Sequence, residues 1–182
     1  MNLTKLSGVS AETLNIYLKG KGILENQGQA FIDAGKKYGI NEVYLMAHTL
    51  LETGNGTSTL AKGIEYNGKI VYNMYGIGAI DSNPIGNGAK TAYEKGWFTP
   101  YDAIVGGAAF IDNSYLSGNN YTNTVQNTLY EMRWNPEFMA TKGTASHQYA
   151  SDIGWAYKQV NTMYEVYKIQ PFTIYLEIPK FK

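Results

Sequence analysis

The 182-residue chain is long enough for one domain with a substantial core, and its 44% hydrophobic residues are typical of a globular protein. Its 15 basic and 15 acidic side chains cancel, so no net charge attracts nucleic acid or an anionic membrane. The absence of cysteine excludes disulfides and thiolate chemistry, and two histidines alone cannot form a three-histidine zinc site. Neither a signal-peptide pattern nor an apolar run of bilayer length is present, so no membrane insertion is expected. We expect a monomer without metal or cofactor.

The first elements along the chain are predicted to be helical. Turn residues and a helical stretch around Ala11–Leu18 indicate an N-terminal arm over residues 1–22. The pattern over Gln27–Tyr38 predicts a helix, and Asn41 is a typical N-cap for the next helix, which ends at Glu52. Together these two helices form a helical hairpin.

A small β-hairpin is predicted after this pair of helices. Asn67-Gly68 is the strongest short-range hairpin signal, and it is flanked by the strand-like segments Ile64–Tyr66 and Lys69–Tyr72. The following stretch Asp81–Gly88 is rich in Asn, Gly and Pro, and it is predicted to be a loop.

Helical signals resume in the second half of the chain. Thr99 is an N-cap residue followed by proline at the first helical position, which predicts a helix through about Tyr115. Asn123–Met132 predicts a short helix that is stopped by Asn135-Pro136.

The last helix has the clearest periodicity. Apolar residues at i, i+4, i+7 and i+8 predict a helix from Tyr149 to Tyr167, with Tyr149 in its buried stripe. Residues 171–182 are expected to be a tail or linker. With no internal repeat, the chain predicts one α-rich (α+β) domain whose body covers residues 23–170.

One glutamate stands out among the ionisable residues. Leu45, His48 and Glu52 share one helical face, so Glu52 lies in the last turn of an apolar helix, directly before a glycine-rich break. Helix-end carbonyls and apolar neighbours both disfavour its ionised form, so a raised pKa is expected, as a general acid requires. The alternative is an exposed glutamate before an ordinary glycine C-cap.

Five sequence blocks in order resemble one enzyme family. The window LLETGNGTS, residues 50–58, followed by LAKG, resembles the catalytic-glutamate motif of the glycoside hydrolase family 73 glucosaminidases, which trim bacterial peptidoglycan. The further blocks are YNMYGIGA at 72–79, KGW at 95–97, MRWNP at 132–136 and HQYASDIGWA at 147–156. Their order and spacing resemble the autolysin branch, over nearly the whole chain from about Gly20 to about Tyr167.

The resemblance implies a lysozyme-like helical domain with a small β-hairpin lobe. It implies an endo-β-N-acetylglucosaminidase that cleaves the β-1,4 bond after N-acetylglucosamine, with Glu52 as general acid and the peptidoglycan glycan strand as partner. The expected location is extracellular or in the cell wall, within a larger secreted protein or a phage lysin. A lytic transglycosylase and a non-catalytic glycan-binding or phage-tail module are the alternatives.

The second catalytic group is left open by the sequence. Glu65 beside the hairpin turn and Asp81 after the YNMYGIGA block are candidates, although a solvated charge and an Asx-turn residue explain them equally well. An N-acetylated sugar can instead supply its own 2-acetamido oxygen as nucleophile. The resemblance then gives Tyr149 the role of orienting that group.

Substrate contacts are predicted from residues with both polar and flat apolar surfaces. Asn73 and Tyr75, at the exit of the hairpin, can bond sugar hydroxyls and acetamido groups. Trp97 and Trp155 are candidate stacking platforms, although both also suit a hydrophobic core. Gln148, next to Tyr149, is assigned to substrate binding as well.

Overall fold

A computed structural model of the protein describes residues 1–80, 82–118, 123–178 and 180. Its described α-helices are α1 Ala11–Leu18, α2 Gly28–Tyr38, α3 Glu42–Glu52, α4 Thr59–Lys62, α5 Pro84–Glu94, α6 Pro100–Ile111, α7 Leu129–Trp134, α8 Pro136–Lys142 and α9 Trp155–Tyr167. The two strands are β1 Ile64–Tyr66 and β2 Lys69–Val71, with a 3₁₀ turn at Gly22–Leu24 and a π-helical turn at Asp112–Leu116. Within the described residues, no helix combines the length and hydropathy of a bilayer-crossing segment.

Helix α3 is the central element of the core. Its residues are buried without interruption from Glu42 to Leu50, and it packs between α2 and α9. The side chain of Asn41 accepts hydrogen bonds from the N–H groups of Val43 and Tyr44, at 3.1 and 2.9 Å. The predicted N-cap and both ends of this helix are confirmed. Burial on all sides makes α3 a rigid support for the residue at its C-terminal end.

The β-hairpin also forms as the sequence predicts. Strands β1 and β2 are antiparallel, with Ile64 opposite Val71 and Tyr66 opposite Lys69. Asn67 and Gly68 both have positive φ, 48° and 73°, as a two-residue turn of this kind requires.

One predicted loop in the middle of the chain is partly wrong. The stretch Asp81–Gly88 is not all loop, because α5 begins at Pro84 with the Asn83 side chain accepting from the N–H of Gly86 at 3.1 Å. Proline at the first helical position starts this helix. Asp81 itself lies outside the described residues.

The region between α6 and α9 also differs from the prediction. The helix predicted over Asn123–Met132 begins only at Leu129, where the Thr128 side chain accepts from the N–H of Glu131. Pro136 does not merely end α7: it begins a further helix, α8, which the sequence analysis missed.

Helix α9 is shorter than predicted, and it buries a different face. It begins at Trp155 rather than Tyr149, because the Asp152 carboxylate accepts from the N–H of Gly154 at 2.9 Å and holds a turn there. The residues that α9 buries are Trp155, Gln159, Met163 and Val166. Several apolar members of the predicted stripe are instead exposed, among them Ile153, Tyr157, Val160 and Tyr164.

The N-terminal segment packs between α3 and the C-terminal segment. The N–H of Asn2 donates to Tyr175 O, and the carbonyl of Leu3 accepts from the N–H of Asn41, both at 2.7 Å. Leu3 is fully buried. Residues before the first long helix therefore contribute to the core rather than extending into solvent.

Candidate active site

Glu52 is the last residue of α3, and it lines a groove of about 570 Å³. Its backbone faces solvent at the helix end, so the residue as a whole is exposed, but its side chain is only 28% exposed. The other groove-lining residues are Leu51, Tyr75, Gly76, Ile77, Gly78, Phe110, Tyr115, Tyr149, Ala150, Ser151, Asp152 and Trp155. A rigid helix thus presents one carboxyl group in a concave surface whose lining includes five aromatic side chains.

The glycine-rich break after Glu52 reverses the chain at once. Residues Gly54–Gly56 have successive φ values of 55°, 59° and 75°, a conformation that favours glycine and asparagine. A Cβ atom on Gly56 would lie 2.2 Å from the carbonyl oxygen of Lys21, so only glycine permits this approach. The hydroxyl of Thr53 accepts from the N–H of Gly56 at 2.8 Å and fixes the turn.

Two ring nitrogens approach the same oxygen of Glu52. Nε2 of His48 and Nε1 of Trp155 each lie 3.4 Å from Oε1. Burial raises the pKa of Glu52, but the interaction with His48, together with the indole N–H of Trp155, lowers it below the ordinary value of 4.5. The raised pKa expected from the sequence is therefore wrong for the free protein, since that expectation omitted both partners.

His48 lies beneath Glu52 and is fully buried. Its Nδ1 atom is 2.9 Å from the hydroxyl of Tyr44, one helical turn earlier on α3. The imidazole meets three aromatic rings edge to face, at centroid distances of 4.6 to 5.6 Å: those of Tyr75, Tyr149 and Trp155. This packing leaves the imidazole little freedom to turn.

Tyr149 lies in the loop before α9, whereas the sequence predicts it within the helix. Its backbone N–H donates to Met132 O at 2.8 Å, and its ring packs 4.6 Å from His48 and 5.0 Å from Trp155. Burial raises the pKa of this phenol well above its usual value, so it stays protonated and can donate to a ligand.

Tyr75 reaches the groove, whereas Asn73 does not. The hydroxyl of Tyr75 is hydrogen-bonded to that of Thr49 at 2.7 Å. The amide of buried Asn73 donates to the carbonyls of Ile77 and Gly88, and its oxygen accepts from the N–H groups of Tyr75 and Ile77. Its amide shapes the loop that carries Tyr75, in place of the predicted sugar contact.

The two tryptophans predicted as stacking platforms are both buried by packing. Trp155 lines the groove but is almost wholly buried, and its N–H points to Glu52. Trp97 lies in a separate depression, where its indole covers Gly106 of α6. A Cβ atom at Gly106 would come within 1.9 Å of the indole nitrogen, so Trp97 is a packing residue.

The remaining predicted residues are not among those that line the groove. The Gln148 side chain donates to Trp134 O at 3.1 Å and accepts from Arg133 at 3.4 Å, so it ties the loop before α9 to α7. Glu65 is exposed on β1 and is absent from the groove lining. Asp81 falls outside the described residues.

The sequence analysis missed two aromatic residues of the groove. Phe110 and Tyr115 belong to its lining, and the π-helical turn Asp112–Leu116 sets the position of Tyr115. The Tyr115 ring stacks on His147 at 4.5 Å, and His147 Nε2 is bonded to Ser114 O at 2.7 Å. A π turn often marks a functional site, but it adds a residue that no simple periodicity reveals.

The charged groups at the groove are few in the described part. Its lining carboxylates there are Glu52 and Asp152. Asp152 lies 2.6 Å from Lys158 Nζ, and this hydrogen bond, with that from Gly154, lowers its pKa. Residues 1–80, 82–118, 123–178 and 180 contain no group of three His, Asp or Glu side chains that could hold a metal ion.

Comparison with known proteins identifies the kind of domain. A family model described as glucosaminidase, mannosyl-glycoprotein endo-beta-N-acetylglucosaminidase, matches residues 28–168. This chain belongs to the glucosaminidase family. Its α-rich (α+β) fold with a small hairpin is lysozyme-like, as the resemblance implies.

Its relatives include longer bacterial proteins, of which the chain spans a fifth or less. A beta-N-acetylglucosaminidase of Bacillus subtilis is 55% identical over the whole chain, which spans 20% of that protein. A bifunctional autolysin of Staphylococcus epidermidis is 49% identical over 96% of the chain, which spans 13% of that protein. The structure of a catalytic mutant of S. aureus Autolysin E with disaccharide NAG-NAM is 46% identical, with a TM-score of 0.76 over 92% of this chain and 71% of that one.

Proposed function

We propose that this chain hydrolyses the β-1,4 bond after N-acetylglucosamine in peptidoglycan glycan strands, with Glu52 as the general acid. The observation that carries the proposal is the position of the Glu52 carboxyl group, at the end of a buried helix in an aromatic groove. The family and the names of the relatives support the same substrate class. Autolysin E of S. aureus binds a NAG-NAM disaccharide, which supports a glycan as partner.

Glu52 must carry a proton when the glycosidic bond breaks. Its lowered pKa leaves it ionised in the free protein near neutral pH. A glycan strand in the groove excludes water from the carboxyl group, and this desolvation favours the protonated form. Binding of the substrate therefore favours protonation of Glu52. When the glycosidic bond breaks, the oxygen of the departing sugar takes this proton.

The nucleophile of the reaction is assigned to the substrate itself. In the described groove lining, the carboxylate besides Glu52 is Asp152, which is exposed and paired with Lys158. The 2-acetamido oxygen of N-acetylglucosamine can attack the anomeric carbon without a protein nucleophile. The protonated hydroxyl of Tyr149, which lines the groove, orients the acetamido group. Glu65 and Asp81 stay predictions as alternative second groups.

The aromatic walls suit a chain of pyranose rings. Tyr75 and Tyr149 line the groove together with Phe110 and Tyr115, and the Tyr115 ring lies 4.9 Å from that of Tyr149. Flat ring faces receive the apolar faces of sugars, while the phenol edges bond hydroxyl groups.

The cell wall is the proposed site of action, with the chain acting as a monomer and without membrane insertion or nucleic acid. The catalytic unit is proposed to be residues 23–170, with the arm 1–22 packed against it and residues 171–182 as a tail. The contacts of Asn2 and Leu3 support including the arm in any fragment that must fold.

The test uses digestion of purified peptidoglycan followed by mass spectrometry of the products. Wild-type protein should release fragments with a reducing N-acetylglucosamine end. Glu52→Gln keeps the shape of the side chain and removes the acid, so the rate should fall by about 10²- to 10⁴-fold. Glu137→Gln, an exposed glutamate on α8, is the matched control and should retain full activity.

The same experiment separates the alternatives. Products lighter by one water would indicate a lytic transglycosylase, and binding without cleavage would indicate a glycan-binding module. Equal rates in Glu52→Gln and wild type would show that Glu52 is not the acid. A rate loss in Glu65→Gln would make Glu65 the second group in place of the acetamido oxygen.

A further inference from the structure

Three polar side chains form a column along α3. Tyr44, His48 and Glu52 are spaced four residues apart and therefore lie above one another on the same face. The Tyr44 hydroxyl is 2.9 Å from His48 Nδ1, and His48 Nε2 is 3.4 Å from Glu52 Oε1. Tyr44 and His48 are fully buried, so water does not compete for these contacts.

The neighbours of Tyr44 determine where the imidazole proton lies. The Tyr44 hydroxyl has one proton and two possible acceptors, Nδ1 of His48 and Sδ of Met132, each 2.9 Å away. An imidazole nitrogen is a much better acceptor than a thioether sulfur. The phenol therefore donates to Nδ1, and the ring proton is on Nε2, which faces Glu52.

The donors around Glu52 are distributed unevenly between its two oxygens. His48 Nε2 and Trp155 Nε1 both approach Oε1 at 3.4 Å. In the described part, Nε2 of His48 is buried without a hydrogen-bond partner, and Oε1 of Glu52 is the carboxylate oxygen that lies 3.4 Å from it. Oε2 receives neither donor, so it is the oxygen free to carry a proton.

We propose that His48 is a positioning residue that, as its Nε2–H tautomer, anchors Oε1 of Glu52 and leaves Oε2 to carry the catalytic proton into the groove. The catalytic part of this statement rests on the proposed function. When Glu52 loses its proton to the leaving group, the new charge falls on a carboxylate that already faces two N–H donors. Tyr44 acts one step further away, by fixing the tautomer of His48.

The other titratable groups around the pair leave this assignment unchanged. The phenols of Tyr44, Tyr75, Tyr115 and Tyr149 all have pKa values raised by burial and stay neutral. Asp152 lies on the rim of the groove and is paired with Lys158. Within the described residues, His48 is therefore the titratable group that contacts Glu52 directly.

The tautomer can be measured on the wild-type protein without any substrate. Nitrogen-15 NMR at neutral pH should show a protonated Nε2 and an unprotonated Nδ1 for His48. The opposite tautomer would overturn the proposal, because Nε2 would then accept from Glu52 rather than donate to it. This result is independent of catalysis, so it stands even if the protein proves inactive on peptidoglycan.

Two substitutions at His48 test whether this residue acts as a hydrogen-bond donor or only fills space. Gln places an amide nitrogen the same number of bonds from Cβ as Nε2, whereas Leu fills the site without a donor. We expect His48→Leu to lose about 10- to 100-fold in kcat with little change in KM, since a hydrogen bond to a charged group is lost. His48→Gln should retain most of the wild-type kcat.

Carboxyl carbon-13 NMR then measures the pKa of Glu52 in each folded variant. It should rise in His48→Leu and change little in His48→Gln; equal rises in both would contradict the donor role. Tyr44→Phe should raise it by a smaller amount, and its control Tyr167→Phe, a phenol bonded to Asn41, should not alter it. If His48→Leu does not fold, the tautomer and the Gln variant decide the question.

Discussion

Helix α3 has a glutamate at each end, and the two are held in opposite ways. Glu42, in the first turn, is 2% exposed and accepts four hydrogen bonds of 2.8 to 3.1 Å from Ser7, Gly8 and Val9. Glu52, in the last turn, has a partly exposed side chain and two contacts of 3.4 Å on one oxygen. The protein supplies hydrogen bonds to both oxygens of Glu42, while both contacts of Glu52 are on Oε1, which leaves Oε2 available to a ligand.

The contrast follows from where the backbone donors are. The N-terminal end of α3 carries positive dipole character and is covered by the N–H groups of the arm, which favour a carboxylate. The C-terminal end presents carbonyl groups and opens into the groove. A carboxylate with complete hydrogen bonding stabilises a fold, whereas an incompletely bonded one in a groove is available for chemistry.

The largest expected effect is on stability, at Glu42. Glu42→Gln turns an acceptor into a donor opposite the N–H groups of Ser7–Val9, so the free energy of unfolding should fall by about 3 kcal/mol. Urea denaturation measures this loss, with the exposed Glu94→Gln as control. The kcat of the folded fraction should equal that of wild type. A large loss of kcat with normal stability would remove the distinction between the two glutamates.

The next prediction concerns the pH dependence of activity, which is set by the pKa of Glu52. The acid works below its pKa and fails as the pH rises through it, and that pKa is lowered in the free protein. Since a bound glycan should raise it, the alkaline limb of kcat/KM should lie at least about one pH unit below that of kcat. Rates on a soluble peptidoglycan fragment from pH 3 to 9 measure both limbs. Coincident limbs would mean that the glycan does not desolvate the acid.

A smaller change probes one hydrogen bond of the arm. Ser7→Ala removes the hydroxyl that donates to Glu42 at 2.8 Å and keeps the backbone donors, so unfolding should become easier by about 1 kcal/mol. The same denaturation measurement applies. In a double variant with Glu42→Gln the two losses should not add, because both remove the same contact.

The smallest expected stability change is at the catalytic end. Glu52→Gln should alter the free energy of unfolding by less than about 1 kcal/mol, because its contacts are long and its side chain is partly solvated. The variant that is expected to lose most of its activity is thus also expected to unfold almost like wild type. A loss as great as that of Glu42→Gln would indicate that Glu52 is chiefly structural.

Local sequence rules predicted the elements that depend on near neighbours. Asn41 as a cap, Glu52 as the helix end and Asn67-Gly68 as a hairpin turn each follow from backbone preferences over a few residues. The resemblance supplied the family and the lysozyme-like fold, which the comparisons confirm.

Other features depend on contacts that no local rule contains. The start of α9 is set by the Asp152 carboxylate, and the inward face of that helix includes Gln159 rather than the tyrosines of the periodic pattern. The pKa of Glu52 depends on Trp155, which lies 103 residues away in sequence. Asn73 was read as a sugar contact because its amide is polar, but its hydrogen bonds belong to the backbone of its own loop.

The pairing of Asn2 with Tyr175 places the N-terminal segment beside the described C-terminal segment. Pulling Asn2 and Tyr175 apart would therefore break this pairing before any load reached α3 or the groove.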